Sequence, residues 1–314
     1  MKKIIPVVLA GLILHACMAL GFAAGFSFTD KQLDTFFILL VVYGCSVLYC
    51  FIVGELANNY SQMDKLWSVL PIAYAWIIAV RHGMSARLII MAVLVTLWGI
   101  RLTANFARKG AYKLKFWTGE EDYRWIYLRS KKPLNNRVLW LIFDFFFISI
   151  FQNAIVLGMT LPVLAVADSS ASLMWVDYVA MALALGFLIY ELIADEQQMK
   201  FQTKKWSMIH EGKKLNELPE PYNLGFNTTG LWNYSRHPNY LGEQAFWVMI
   251  YVFVIGAGVV NYGVFNWSII GTVALVLLFT SSSKFTEKIT ASKYPRYAEY
   301  QDKVFKYLPL RKFH

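Results

Sequence analysis

Apolar runs close to 20 residues long recur along this chain, and they limit what it can fold into. Eight are expected, with approximate bounds Ile4–Phe28, Leu33–Leu56, Leu66–Val80, Leu88–Phe106, Val138–Val166, Leu173–Ala194, Tyr240–Val260 and Val264–Ser281. A helix that crosses a bilayer needs about 20 such residues. Lipid offers no partner to an open sheet edge, so the runs must be helices. Hydrophobic residues make up 57% of the 314, with a mean hydropathy of +0.44. The fold class is therefore all-α: a polytopic integral-membrane helical bundle of about eight transmembrane helices, in a single domain over residues 1–314. The third run is short enough to be re-entrant. No soluble domain and no internal repeat stands out.

The net charge of +10 is no nucleic-acid signal, because its distribution follows topology. Residues 108–137 hold nine basic and three acidic residues, 195–236 six and five, and the tail 284–314 eight and three. Asp168–Asp177 and Val259–Asn266 carry no Lys or Arg. Basic segments stay in the cytoplasm, which makes cytoplasmic loops of the first two segments and a cytoplasmic tail of the third. Lys2 and Lys3 put the N-terminus on the same side, and an even helix count returns the C-terminus there. Both termini are then cytoplasmic, in the cell inner membrane of a bacterium. Arg81 and Arg87 fall on the far side, against the rule.

The first run could be read as a signal peptide, and LHAC, ending at Cys17, hints at lipoprotein cleavage. The apolar run continues past Cys17, so an uncleaved first helix is expected. Cys17, Cys45 and Cys50 read as small buried apolar residues. No metal-ligand spacing, phosphate-binding P-loop or dinucleotide fingerprint is present.

The segment GLWNYSRHPNYLGE, Gly230–Glu243, lies between a polar stretch and a long apolar one. Pro238 fits the first turn of a helix, where its missing N–H is no loss. Arg236, His237 and Asn239 then crowd the helix N-terminus and make an anion trap suited to phosphate. Tyr234 and Tyr240 flank them. Glu243 follows one turn deeper on the Asn239 face. A carboxylate in an apolar helix is costly unless it is used. Other polar clusters lie on the same expected side: NNYSQMDKLW with Tyr60 and Asp64 at i, i+4; LWGIRLTANFAR with Arg101, Asn105 and Arg108; EEDYRW with Arg124; and YELIADEQQMKF, where Glu191, Asp195 and Gln198 line one helix face.

These elements, with the tail KYPRYAEYQDKVFKYLP, resemble the membrane-embedded steroid 5-alpha-reductase superfamily, in its bacterial branch, over about residues 58–309. The Arg-His-Pro stretch alone is also similar to sterol reductases and to integral-membrane methyltransferases. The resemblance implies NADPH, held in the bundle and capped by cytoplasmic loops. Asn239 and Glu243 match the Asn and Glu near the nicotinamide, Asp195 an acidic cofactor contact, and Arg108 an Arg that binds the cofactor's phosphates. Charge and placement add Arg124 and Arg236, and His237, Tyr234 and Tyr240 complete the candidate cofactor set. The implied reaction is reduction of a carbon–carbon double bond conjugated to a ketone of a lipophilic, steroid- or isoprenoid-like substrate. Asp64 lies where the family's carbonyl-polarising Glu is expected, and Asn105 stands in place of its Tyr. Tyr60 is the candidate substitute for that phenol. The alternatives are an S-adenosylmethionine-dependent methyltransferase and a non-enzymatic lipid-binding membrane protein. Methyltransferase relatives carry paired acids after the last helix, where this chain has only Glu287.

Overall fold

The computed structural model describes residues 28–260 and 264–314. The first apolar run, with His15, Cys17 and the signal-peptide alternative, lies outside them. Among the described residues all regular structure is helical: α1 (Asp30–Ala57), α2 (Gln62–Leu66), α3 (Leu70–Arg81), α4 (Ala86–Ala107), α5 (Tyr123–Arg129), α6 (Arg137–Phe143), a π-helical stretch (Asp144–Phe151) leading into α7 (Gln152–Ala165), α8 (Trp175–His210), α9 (Pro238–Gly256), α10 (Ile269–Lys293) and α11 (Tyr297–Lys303).

Five helices are long and apolar enough to cross a membrane: α1, α4, the continuous Arg137–Ala165 helix, α8 and α10. The expected count of eight is not reached among the described residues. Helix α3 has 12 residues, about 18 Å at 1.5 Å per residue, well under the bilayer's apolar thickness of about 30 Å. Helix α9 has 19 residues, but its first turns carry Asn239, Glu243 and Gln244. Helix α8 has 36 residues and extends far beyond the expected run, through Asp195 to His210.

Helix boundaries follow local chemistry. Thr29 and Gln32 form a reciprocal capping box at the start of α1, each donating at 3.1 Å, and Asn58 ends the helix in the left-handed conformation with φ 48°. Asn136 caps α6 by accepting from the Val138 and Leu139 N–H groups at 3.0 and 3.1 Å.

The described residues divide into two compact units, 28–181 with 249–260 and 264–275, and 182–248 with 276–314. In the first unit α7 is the central element: every residue from Gln152 to Ala165 is buried, against α1, α3 and α4. Gly158 lies against Gly271. A Cβ on Gly271 would sit 1.9 Å from the Gly158 carbonyl carbon, so only glycine permits this backbone approach. Cys50 is buried as expected, whereas Cys45 is exposed, on the outward face of α1 with Val41 and Leu48. An apolar helix in lipid has no need to bury a small thiol.

Arg87 and Arg81, which break the charge rule, both have structural partners. The Arg87 guanidinium donates twice to Asp177 at 2.9 Å and to the carbonyls of Ala171, Ser172 and Gly256 at 2.8, 2.9 and 3.3 Å. Both side chains are almost wholly buried, at 4% and 1% exposure. Arg81 donates to Thr35 Oγ1 at 3.0 Å, which also meets His82 Nε2 at 3.0 Å, and His82 Nδ1 lies 2.5 Å from Asp168. Arg87 is thus an ion-paired part of the packing, whereas Arg81 is exposed and donates to a neutral hydroxyl.

In the second unit the tail folds back as part of the core. Leu224, Phe226, Tyr297, Tyr300, Val304 and Phe313 pack together, with Tyr294 at their edge. The Tyr300 hydroxyl donates to the carbonyls of Trp232 and Ser235. The Arg236 and His237 N–H groups donate to the Phe305 and Lys306 carbonyls at 3.1 and 2.9 Å.

Arg87→Ala leaves the Asp177 carboxylate buried without its partner. We expect a loss of about 3–5 kcal/mol, the usual cost of breaking a buried ion pair, read as a lower unfolding midpoint in detergent. Arg87→Lys, which keeps the charge but loses the fork, should fall in between.

Candidate functional site

The candidate site residues fall into two clusters, one in each unit. In the second unit, α8 and the start of α9 carry the acids. Gly242 lets the two backbones approach, since a Cβ there would lie 2.7 Å from Glu191 Cβ and 3.1 Å from the Phe187 carbonyl oxygen. Asn239 Nδ2 donates to Asp195 Oδ1 at 3.1 Å. Glu191, Asp195 and Glu243 are all buried. The Asn239 and Gln198 side-chain carbonyl oxygens are buried acceptors with no hydrogen-bond donor among the described residues. Buried acceptors without donors are rare and costly, and two on neighbouring segments form a face that a hydrogen-bond-donating ligand would satisfy.

The loop before α9 is latched to α8. Gln197 accepts from the Leu231 N–H at 2.8 Å, and the Trp232 indole donates to the Ala194 carbonyl at 3.0 Å. Gly230, at φ 59°, has no room for a side chain, because a Cβ would sit 2.5 Å from the Gln197 amide. Gln197, Gly230 and Gly242 hold this face together. The periodicity of charged residues did not single them out. The sequence signal was the two glycines that frame the Arg-His-Pro segment.

Arg236 and His237 point to Glu287 instead of standing open. Arg236 Nε donates to Glu287 Oε1 at 2.7 Å, and its Nη1 donates to the Gln301 carbonyl at 2.9 Å and to the Val304 carbonyl. His237 Nε2 lies 3.0 Å from the same Glu287 oxygen, and its ring stacks on Tyr240 at 5.2 Å. Gln301 donates to the other oxygen at 3.1 Å. Burial lowers the His237 pKa, with Glu287 pulling the other way. The guanidinium of the expected anion trap is thus used to hold the tail. Tyr234 is exposed, and Tyr240 packs edge-on against Phe279 at 4.7 Å.

In the first unit the NYSQMDKLW segment stitches a loop. Lys65 Nζ donates to the Phe116 and Thr118 carbonyls at 2.7 Å each, Gln62 to Trp117 at 3.0 Å, and Asn59 to Gly119 at 3.0 Å. Asp64 Oδ2 accepts from the Trp125 indole at 2.8 Å, and Arg124 lies 3.7 Å from its other oxygen. Arg124 itself is bidentate to Asp122, at 2.8 and 2.9 Å. Burial and then the Asp122 charge raise the Asp64 pKa. At Asp122 burial is outweighed by Arg124, and the carboxyl lies below its usual range. The Tyr60 hydroxyl accepts from Arg137 Nη1 at 3.0 Å, and its ring lies under the Arg129 guanidinium at 4.6 Å. Asn105 Oδ1 accepts from Arg108 Nε and Nη2 at 3.0 and 2.9 Å, and Arg108 is exposed. Tyr60, Asp64 and Asn105 therefore each face a different arginine. Among the described residues no group of three or more His, Cys, Asp or Glu side chains could hold a metal ion.

Helices long enough to cross a membrane, together with buried acids on apolar segments, define a polytopic membrane protein with an internal polar face. The chain belongs to the family described as "Protein of unknown function (DUF1295)", which it matches over residues 50–304. An uncharacterized protein of Schizosaccharomyces pombe is 34% identical over 283 residues, covering 84% of this chain and 78% of the relative. That relative is fungal, so the expected bacterial placement does not follow from it. No solved structure matches.

The low His237 pKa sets a pH dependence. An unfolded chain binds a proton near pH 6.5 that folded His237 resists. The stability held by neutral His237 is full above that pH and is lost as pH falls toward the folded pKa. The unfolding midpoint in detergent should fall as the pH drops below about 6.5, and His237→Gln should flatten that slope.

Proposed function

We propose that the chain is a membrane-embedded oxidoreductase that reduces a conjugated carbon–carbon double bond of a lipophilic, steroid- or isoprenoid-like substrate with NADPH. The resemblance to the steroid 5-alpha-reductase superfamily supplies the reaction class. The observation that carries the reading is the buried face of Asp195, Asn239 and Glu243, with two acceptors that lack donors. A nicotinamide carboxamide and ribose hydroxyls are donors of the kind these acceptors lack, so the residues present fit that end of the cofactor. The cofactor, when bound, supplies the hydride.

The chain's own residues then have separate tasks. Asn239, fixed by Asp195, and Glu243 orient the ring by hydrogen bonds. Arg108, exposed at the end of α4, is the better candidate for the phosphates. Arg236 and His237 act by holding the loop through Glu287. Asp64, whose burial favours the proton-bearing form, is the proposed group that polarises the substrate carbonyl, with Tyr60 and Asn105 as the alternatives. The phenol and the amide differ here, since only the phenol can deliver a proton.

On the same reading the basic loops and both termini are cytoplasmic and the protein resides in a cell inner membrane. Reporter fusions at Lys213 and after His314 should give a cytoplasmic signal, and one at Ala171 should not.

One observation favours a second reading. Three buried carboxylates beside one amide also suit a cation, and S-adenosylmethionine carries a sulfonium and an ammonium. Titration of the purified protein with NADPH and with S-adenosylmethionine separates the two. We expect NADPH to bind, and Glu243→Gln to weaken it by about 1.5–3 kcal/mol, as for a hydrogen bond to a charged group. Binding of S-adenosylmethionine alone would replace the reductase by a methyltransferase. Binding of neither, with the substitution altering only stability, would leave a non-enzymatic lipid-binding protein.

A further inference from the structure

A second polar recess lies in the first unit, where α1 ends and the Arg137–Ala165 helix begins. It is a cleft of about 230 Å³ lined by Asn58, Tyr60, Arg129, Leu134, Asn135, Arg137 and Trp140. Its polar lining is made mostly of hydrogen-bond donors. Arg137 is 65% exposed and Arg129 25%. Asn135 is exposed, and its side chain makes no hydrogen bond among the described residues. The indole of Trp140 is buried under the cleft, its N–H directed at the Tyr60 hydroxyl.

Within the cleft the arginines are matched by carboxylates, and the positive surplus comes from two lysines outside its lining. Arg129 pairs with Glu121 and Arg137 with Glu55. Lys131 and Lys132, both exposed beside the cleft, have no acidic partner among the salt bridges of the described residues. The cleft also opens at the N-terminus of a 29-residue helix, where the dipole favours an anion. Its position fixes the depth. It lies at the ends of two helices long and apolar enough to span a bilayer, and a spanning placement brings it to the level of lipid phosphates. Trp140 and Tyr60 supply the amphipathic aromatic rings common at that level.

From these observations we propose that this cleft binds the phosphodiester headgroup of an anionic membrane lipid. Arg137 and Arg129 face the phosphate, and the Asn135 amide donates to its free oxygens or to a headgroup hydroxyl. The acyl chains follow the apolar outer surface of the Arg137–Ala165 helix, on which Val138, Leu141 and Ile142 are exposed. This site uses no residue of the Asp195–Asn239–Glu243 face and shares only Tyr60 with the reductase reading.

The test is native mass spectrometry of the delipidated full-length protein, titrated separately with phosphatidylglycerol, phosphatidylcholine and inorganic phosphate. We expect phosphatidylglycerol to bind about tenfold tighter than phosphatidylcholine, and inorganic phosphate to leave the protein unoccupied and the lipid undisplaced. Asn135→Asp places a carboxylate in the cleft at an exposed position, so it should weaken phosphatidylglycerol about fivefold while the unfolding midpoint of the lipid-free protein stays that of the parent. Arg137→Gln should weaken it at least as much. Equal affinity for the two lipids, or unchanged phosphatidylglycerol binding in both variants, overturns the proposal. Displacement of the lipid by inorganic phosphate overturns the assignment to a membrane lipid and makes the cleft a site for a soluble anion.

Discussion

A charge carried on an apolar helix has no water to turn to, so it must find its counter-charge inside the protein. In the first unit this requirement acts through Arg87. Its guanidinium joins α4 to the Asp177 carboxylate, to two carbonyls of the loop before α8 and to the last residue of α9. The contact is close enough to dictate its neighbours: a Cβ on Gly256 would lie 2.5 Å from an Asp177 oxygen. His82 and Asp168 make a second such tie with Thr35 and Thr29 of the α1 start. These two ties meet five helix ends, the starts of α1, α4 and α8 and the ends of α3 and α9.

The same requirement explains the second unit. Glu287 would be an isolated carboxylate in α10 without Arg236, His237 and Gln301. Those contacts, with the Tyr300 hydroxyl on the Trp232 and Ser235 carbonyls, convert the polar tail into a wall of the unit. The Arg-His-Pro segment owes its geometry to this tail. Its arginine is committed to protein groups, and the hydrogen-bonding capacity left over lies one turn further on, at Asn239 and along α8. A ligand-holding face there and a phosphate trap at Arg236 draw on different atoms.

Two polar sites with different chemistry therefore sit on one chain. One is acid-rich and buried, with acceptors that lack donors. The other is donor-rich and open, at the ends of spanning helices. By complementarity the first suits a donor-bearing or cationic group, and the second is the proposed phosphate site. The family, described only as of unknown function, leaves both assignments to physical argument and experiment.

The sequence alone determined the fold class, because apolar runs of bilayer length admit only helices, and their polar boundaries located α1, α4, the Arg137–Ala165 helix, α8 and α10. Helical periodicity also put Asn239 and Glu243 on one face and Glu191, Asp195 and Gln198 on another, while only the family resemblance brought Asp195 together with Asn239 and Glu243. What it could not determine was pairing between segments far apart in the chain. Arg236 with Glu287, Arg87 with Asp177 and Tyr60 with Arg137 are separated by 51, 90 and 77 residues, and no local pattern encodes such partners. Helix count likewise depends on three-dimensional context: Leu66–Val80 reads as a span but forms a helix of only 12 residues, because Lys65 and its neighbours are drawn into bonding the 116–119 loop. Hydropathy measures the preference of each residue for lipid, and only the tertiary structure decides which polar groups are already satisfied and which remain to hold a ligand.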